Sequence, residues 1–202
     1  MRGRFIVLEG PDKSGKSTQA ALLIRYLKAR RIPVLHSREP GGSALSEGIR
    51  KLLLHPRYRV HPLAELLLYE AARAQHTEET LRPALARGQL VICERYTLAT
   101  LAYQGFGRGL PMPMVRQLNH IATGGLKPDL TIVLDIPDSE FDSRPRLKHD
   151  RLESEGGDFR KKVRRAYHVL ARRERGVLLL NGREEPQTLH ASIVAKLARF
   201  LP

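Results

Sequence analysis

The chain has 202 residues, of which 42% are hydrophobic and 28% charged, with 35 Lys and Arg against 21 Asp and Glu, for a formal net charge of +14. A chain of this length and composition folds around a sizeable core, and the length prior gives one domain. The lone Cys93 excludes an intrachain disulfide, a CxxC pair and a multi-cysteine zinc site; no apolar run approaches the ~18 residues of a membrane span. The run Met1 to Leu8 is too short for a signal-peptide core, so reducing cytosol is the expected compartment. The basic excess, +6 of it from residues 141–175 alone (12 basic, 6 acidic), favours polyanionic partners without choosing among them.

Short apolar β-type runs alternate with longer helical patterns. The strands expected are Arg4–Glu9, Pro33–Ser37, Leu90–Glu94, Leu130–Asp135 and Val177–Asn181. None alternates cleanly between apolar and polar, as suits strands covered on both faces. Helices are expected over Lys16–Arg31, Glu65–Arg87, Met114–Thr123, Arg160–Arg175 and Gln187–Leu201. The fold class is α/β: a five-stranded parallel sheet in three layers, with helices on both faces. Ligands in such folds bind beyond the carboxyl ends of the strands, so the residues after each strand matter most.

The first strand runs into Gly10-Pro11-Asp12-Lys13-Ser14-Gly15-Lys16-Ser17-Thr18, a complete G-x-x-x-x-G-K-[ST] motif opening a helix. Its glycines let backbone N–H groups wrap a phosphate at the positive end of the helix. Lys16 is placed to reach the β- and γ-phosphates, and the Ser17 hydroxyl to ligate Mg²⁺. These nine residues bind a nucleoside triphosphate, and with the alternating strands and helices they make the expected fold a three-layer P-loop NTPase fold. Asp12 puts a carboxylate among phosphate-binding amides and needs a cation or a hydroxyl as partner. Lys13 is either a second cation near the transferring phosphate or a solvated loop lysine. After the second strand Arg38 precedes Glu39-Pro40-Gly41-Gly42, which suits a phosphate contact or a surface arginine beside a turn. The third strand ends in Glu94-Arg95-Tyr96. Glu94 could hold a metal water or an attacking oxygen, and Arg95 could clamp a phosphate; a structural ion pair is the lesser alternative. Tyr69 and Arg73 share a helix face and could bracket a base, although taken alone they read better as a core tyrosine and a solvated arginine.

Further blocks come in order: Leu66 to His76, Arg82-Pro83-Ala84-Leu85, Ala102-Tyr103-Gln104-Gly105, Pro128-Asp129-Leu130 with Leu134-Asp135, and Asp150-Arg151-Leu152-Glu153. With Leu8 to Gln19, Arg38 to Gly42 and Glu94 to Tyr96, they make the chain resemble the thymidylate kinase family over nearly its whole length. The resemblance implies transfer of the ATP γ-phosphoryl group to dTMP with Mg²⁺, in a homodimer. It implies that Tyr69 stacks on thymine, Arg73 meets a base carbonyl, Thr100 reads the base edge and Tyr103 abuts the sugar. Arg38 and Arg95 would grip the monophosphate, Asp12 would contact the acceptor, and Gln104 would neighbour it. Residues 141–160 resemble the family's mobile lid, with Arg144, Arg146, Lys148 and Arg151. The catalytic set so implied is Lys16, Arg95, Arg151, Lys13 and Glu94, and the metal ligands are Ser17 and Glu94.

The chain departs from the family pattern at Glu94 (usually Asp), Ala99 (usually Ser) and Asn181 (usually Asp). It also carries both a basic loop residue, Lys13, and a basic lid, which in the family tend to be alternatives. Three other readings stand beside the leading one. They are a kinase of the same fold for another nucleoside monophosphate, a nucleotide-dependent nucleic-acid-binding protein without kinase turnover, and a binding protein that lost turnover through Glu94.

Overall fold

The structure, a computed structural model, describes residues 3–141, 143–144, 151–152 and 155–201. In chain order the elements are β1 (Arg4–Glu9), α1 (Lys16–Ala29), β2 (Val34–Arg38), α2 (Ala44–Leu54) and α3 (Pro62–His76), then a π-helical turn, Thr77–Leu81, continuing into α4 (Arg82–Ala86). They continue with β3 (Leu90–Glu94), α5 (Thr97–Thr100), a second π-helical stretch, Leu101–Gly107, α6 (Met112–Thr123), β4 (Leu130–Asp135) and α7 (Asp138–Phe141). Last come α8 (Gly157–Arg173), β5 (Val177–Asn181), α9 (Pro186–Leu197) and a 3₁₀ turn, Ala198–Phe200. Among the described residues the five strands form one parallel sheet in the order β2-β3-β1-β4-β5.

The period of two along β1 explains the layers. Ile6 and Leu8 point to one side and pack with Leu23 and Leu27 of α1 and Ile193 of α9. Phe5 and Val7 point to the other, against Leu81, Ala84 and Leu85. Both sets are essentially inaccessible, so β1 is buried on two faces. The central position of β1 puts the loop after it between the carboxyl ends of β3 and β4, at the switch point of the sheet.

The five strands stand where expected, with β2 shifted by one residue so that it ends on Arg38. The expected helix Glu65–Arg87 is interrupted by the π turn at Thr77–Leu81 and begins earlier, at Pro62, with His61 Nδ1 accepting from the Leu63 N–H. Helix α2 is an addition to the expected elements. Its start is marked by Ser43, whose hydroxyl accepts from the Ser46 N–H at 3.3 Å, with Glu47 in the first turn. The helical segment Thr97–Gly107 is a second addition; it is short and its latter part is π-helical, which a search at a period of 3.6 does not detect. Gly156 caps α8 and Gly157 opens it, ahead of the Arg160 start expected.

Candidate active site

The loop after β1 has the geometry its glycines permit. Gly10 takes φ +133°, and a Cβ there would stand 2.2 Å from the Leu134 carbonyl oxygen. Gly15 takes φ +95° and caps α1. The Lys16 ammonium donates to the Gly10 carbonyl at 3.1 Å and to the Pro11 carbonyl at 2.6 Å. Burial and the nearby Arg95 push its pKa down to about 7, against the pull of Asp12, Glu9 and Glu94. Ser14 is buried inside the loop, whereas Ser17 and Thr18 are exposed on the first turn of α1.

Ser17 Oγ donates to Glu94 Oε2 at 2.5 Å, and Glu94 Oε1 is 3.0 Å from His36 Nε2. Burial alone would raise the Glu94 pKa, but the bonds from His36 and Ser17 hold it below the usual range. A hydroxyl and an ionised carboxylate at a phosphate loop are the hard oxygen donors that Mg²⁺ takes alongside a nucleotide's own oxygens. The residues therefore fit the metal the sequence implied. Among the described residues no three His, Cys, Asp or Glu side chains converge on a common point, so most ligands of a cation here would come from nucleotide and water.

Lys13 and the segment after α7 hold each other. Lys13, at φ +61°, donates from Nζ to the carbonyls of Phe141 and Arg144 at 2.8 and 2.9 Å. Arg144 returns bonds to the carbonyls of Lys13 and Gly182. The solvated-loop reading of Lys13 is thereby corrected: its amine caps the backbone of the neighbouring segment.

Beside this loop lies a half-open cleft. It brings together Asp12, Tyr69, Arg73, Arg95, Thr100, Tyr103 and Gln104, seven of the eight acceptor residues read from the sequence, with Ala99 beside them. Arg38, the eighth, is not among the lining residues. Its side chain is 53% exposed and comes no nearer than 3.5 Å to Glu47. Arg50 of α2 lines the cleft instead, and its Nη1 donates to the Pro40 carbonyl at 2.8 Å. Burial lowers its pKa, and repulsion from Arg38 and Arg95 adds to the effect. Arg50 thus adds a second arginine, with Arg95, to the phosphate-loop side of the cleft. Sequence reading missed Arg50 because α2 itself was missed; the apolar spacing of Leu45, Ile49, Leu52 and Leu53 could have revealed that helix.

Arg95 joins the loop to the cleft. It adopts φ +65°, donates to the Gly10 carbonyl at 3.0 Å and to Tyr167 Oη at 3.3 Å, and pairs with Asp12. Its guanidinium lies 5.0 Å from the centre of the Tyr103 ring, whose hydroxyl donates to the other Asp12 oxygen at 3.0 Å. Burial would raise the Asp12 pKa, but Arg95, Lys16 and Tyr103 outweigh it and keep the group ionised. Fully buried Glu9 supports this corner: it accepts from the Tyr96 and Ala99 N–H groups and from the Tyr167 hydroxyl.

Arg73 is 2% exposed, so the solvated reading fails. Its Nε donates to Glu39 at 2.7 Å and its Nη1 reaches Glu70, Thr100 and Asn119, while Nη2 donates to the Tyr96 carbonyl. One Nη2 hydrogen is left over for a cleft occupant among these described partners. Gln104 donates to Glu65 at 2.8 Å, and Thr100 donates to Asn119 at 2.9 Å. Arg151 lies 2.6 Å from Glu65 and donates to the Leu53 carbonyl. Arg146 and Lys148 lie outside the described residues.

A phosphate loop on the central strand, with an arginine-lined cleft beyond the neighbouring strand ends, defines a P-loop nucleotide kinase. The family model for thymidylate kinase matches residues 8–193. A thymidylate kinase of Synechococcus sp. is 45% identical over 199 residues, covering 98% of this chain and 96% of that one. That of Carboxydothermus hydrogenoformans is 46% identical over 191 residues, 94% of each chain. The crystal structure of thymidylate kinase from Ehrlichia chaffeensis superposes with a TM-score of 0.82 at 29% identity, covering 98% of this chain and 100% of that chain. The chain belongs to the thymidylate kinase family.

Proposed function

We infer that this chain phosphorylates dTMP to dTDP, with ATP as donor and Mg²⁺ as cofactor. The observation that carries this reading is Arg95, which bonds to the phosphate loop at Gly10 and Asp12 and faces the Tyr103 ring in the acceptor cleft. Ser17 and Glu94 would hold Mg²⁺, which when bound would supply charge neutralisation on the donor phosphates. Lys16 and Arg95 stabilise the charge that spreads over the transferring group. The acceptor phosphate is already anionic, so no strong general base is needed. Arg50 and Arg95 grip that phosphate, with Arg38 adding charge from the rim. Tyr69 stacks on the base, Arg73 and Thr100 read its edge, and Tyr103 stands against the sugar. Residues 141–160 act as a lid on a single domain, and closing it keeps water from the phosphoryl group. Lys13 and Arg151 both serve that lid, and a direct role for either at the phosphates requires them to leave their present partners. Cytoplasmic residence suits the buried free thiol of Cys93.

The test is ADP release with ATP, Mg²⁺ and a panel of dTMP, dUMP, ribo-TMP, dCMP, dGMP and AMP. Turnover confined chiefly to dTMP is expected. Preference for another monophosphate moves the reading to a sister kinase, and binding of ATP and dTMP without any transfer moves it to a binding protein disabled at Glu94.

ATP affinity is expected to depend on pH through Lys16. Its pKa is about 7 in the free protein, and a bound polyphosphate raises it. Binding therefore takes up a proton above pH 7, and affinity weakens as pH rises from about 7 to about 9. Titration calorimetry at about pH 8 in buffers of different ionisation heat should give an uptake approaching one proton. Lys16→Met should abolish that uptake.

The homodimer is proposed on the face of α2 and α3, where Leu45, Leu52, Leu63 and Leu67 are exposed, from 38% to 57% of their surface. A second copy covers these apolar side chains with the same stripe. Light scattering should give twice the chain mass of 22.8 kDa, and Leu67→Arg should return the monomer.

A further inference from the structure

Glu65 stands on the first turn of α3, is fully buried, and is not among the residues lining the acceptor cleft. A buried carboxylate is costly unless its charge is matched and its oxygens are bonded. Here it draws partners from two other parts of the chain. Gln104 donates to Oε1 at 2.8 Å, and Arg108 donates to both oxygens at 3.1 Å. Arg151 brings its Nη2 to 2.6 Å from Oε2. Arg108 in turn holds Glu155 at 2.6 Å. Two guanidinium groups and two carboxylates thus balance, and two of the four, Arg151 and Glu155, belong to the segment that carries the lid.

The same contact fixes backbone. The Arg151 N–H donates to the Leu54 carbonyl at 3.1 Å, and its Nε donates to the Leu53 carbonyl at 2.9 Å. These carbonyls lie at the carboxyl end of α2, where the helix dipole favours a cation. The next residue, Leu152, is 9% exposed and lines both the acceptor cleft and the smaller cavity between the phosphate loop and α8. Leu54 and Gln104 line the acceptor cleft too. Glu65 touches none of the cleft, yet three of the groups that border it are placed by Glu65 or by its partner Arg151.

We propose that Glu65 is a positioning residue that anchors the acceptor side of the lid: through Arg151 and Arg108 it holds Leu152 between the acceptor cleft and the donor side. The opposite end of the lid has a separate anchor in the Lys13–Phe141–Arg144 bonds. Each anchor thus belongs to one substrate side. The proposal rests on the kinase reading above for its kinetics, but its structural part does not.

The test uses the full chain with Glu65→Gln, which keeps shape and removes charge, together with Arg151→Gln and the double variant. The KM for dTMP should rise about tenfold in Glu65→Gln, with the KM for ATP within about twofold, as for a coupling of ordinary size. ADP release should exceed dTDP formed, since a loosened lid admits water. Adding Glu65→Gln to Arg151→Gln should cause little further change, the mark of two residues acting as a unit. Hydrogen exchange of the protein alone should speed up in peptides from 151 to 160 and stay unchanged in β1. A lowered melting temperature with unchanged dTMP KM, coupling ratio and lid exchange would make Glu65 a core ion pair only and overturn the proposal. If the unmodified chain gave no dTMP turnover, the kinase reading would fail while the exchange comparison still decided the anchor. If Glu65→Gln does not fold, Arg151→Gln, which leaves Glu65 paired with Arg108 and Gln104, must by itself show the dTMP shift and the faster exchange; absence of either overturns the proposal.

Discussion

Arg95→Ala is expected to lower kcat/KM for dTMP by about a thousandfold, roughly 4 kcal/mol of transition-state stabilisation, and most of the loss should appear in kcat. Among the described residues Arg95 bonds to the phosphate loop at both Gly10 and Asp12, and it lines the cleft itself. Its removal also leaves Asp12 with only Tyr103 and Lys16 to oppose its charge, so the carboxylate would repel an incoming phosphate. Arg95→Lys should recover little of the activity. A single ammonium cannot reach Gly10, Tyr167 and Asp12 with the planar fork of a guanidinium. Backbone and side-chain effects separate cleanly here. At φ +65° a non-glycine residue is strained, at a cost of about 1–3 kcal/mol. Arg95→Gly should therefore melt higher than Arg95→Ala while being equally inactive. Steady-state rates and thermal melts of the three variants check this. A kcat/KM within about tenfold of the unmodified chain for Arg95→Ala would remove Arg95 from the transfer step.

The sheet was legible because five short apolar runs separated by helical patterns admit few arrangements, and a complete phosphate-loop motif dictates the turn and helix after β1. The cleft was legible only through blocks of sequence, and the structure gives their physical content. Glu39, in the block after β2, accepts from Arg73 and faces His76, both on α3, while His76 Nε2 stands 2.6 Å from Ser37 Oγ. Gly42 packs so closely that a Cβ would come within 2.5 Å of Ser37 and His76. Two stretches whose members Glu39 and Arg73 stand 34 residues apart are therefore one polar cluster, which no local pattern could reveal. Arg50 and Glu65 escaped for the same reason. Each is an ordinary charged residue on a helix, and only tertiary packing buries Glu65 and brings half-buried Arg50 to the cleft. Arg38 illustrates the converse: its position at a strand end suggested a phosphate contact, but its side chain turns to the rim near Glu47. Nothing in the spacing distinguishes Arg38 from Arg50, because which of the two enters the cleft depends on how α2 packs on α3.

The second large effect is on stability. Glu39→Ala is expected to destabilise the fold by about 3–5 kcal/mol, the usual result of breaking one partner out of a buried ion pair. Arg73 would keep Glu70, but its Nε would lose its only acceptor among the described residues, and His76 Nδ1 would face an apolar methyl group. Glu70 is a poor substitute. Burial raises its pKa despite Arg73, and its Oε2 has no hydrogen-bond partner among the described residues. For a chain of this size the loss corresponds to a fall in melting temperature of roughly 6–20 °C. Glu39→Gln should lie between the two, because an amide oxygen can still accept from one neighbour. The damage should extend to the base edge of the cleft, since Arg73 is positioned by Glu39 and in turn donates to Thr100. The dTMP KM should thus rise in Glu39→Gln even at temperatures where the variant is fully folded, while the ATP KM stays put. Thermal melts and KM values for both substrates decide the point. If Glu39→Ala melts within about 2 °C of the unmodified chain, well short of the expected fall, water relieves the cluster and the cluster does not hold the cleft.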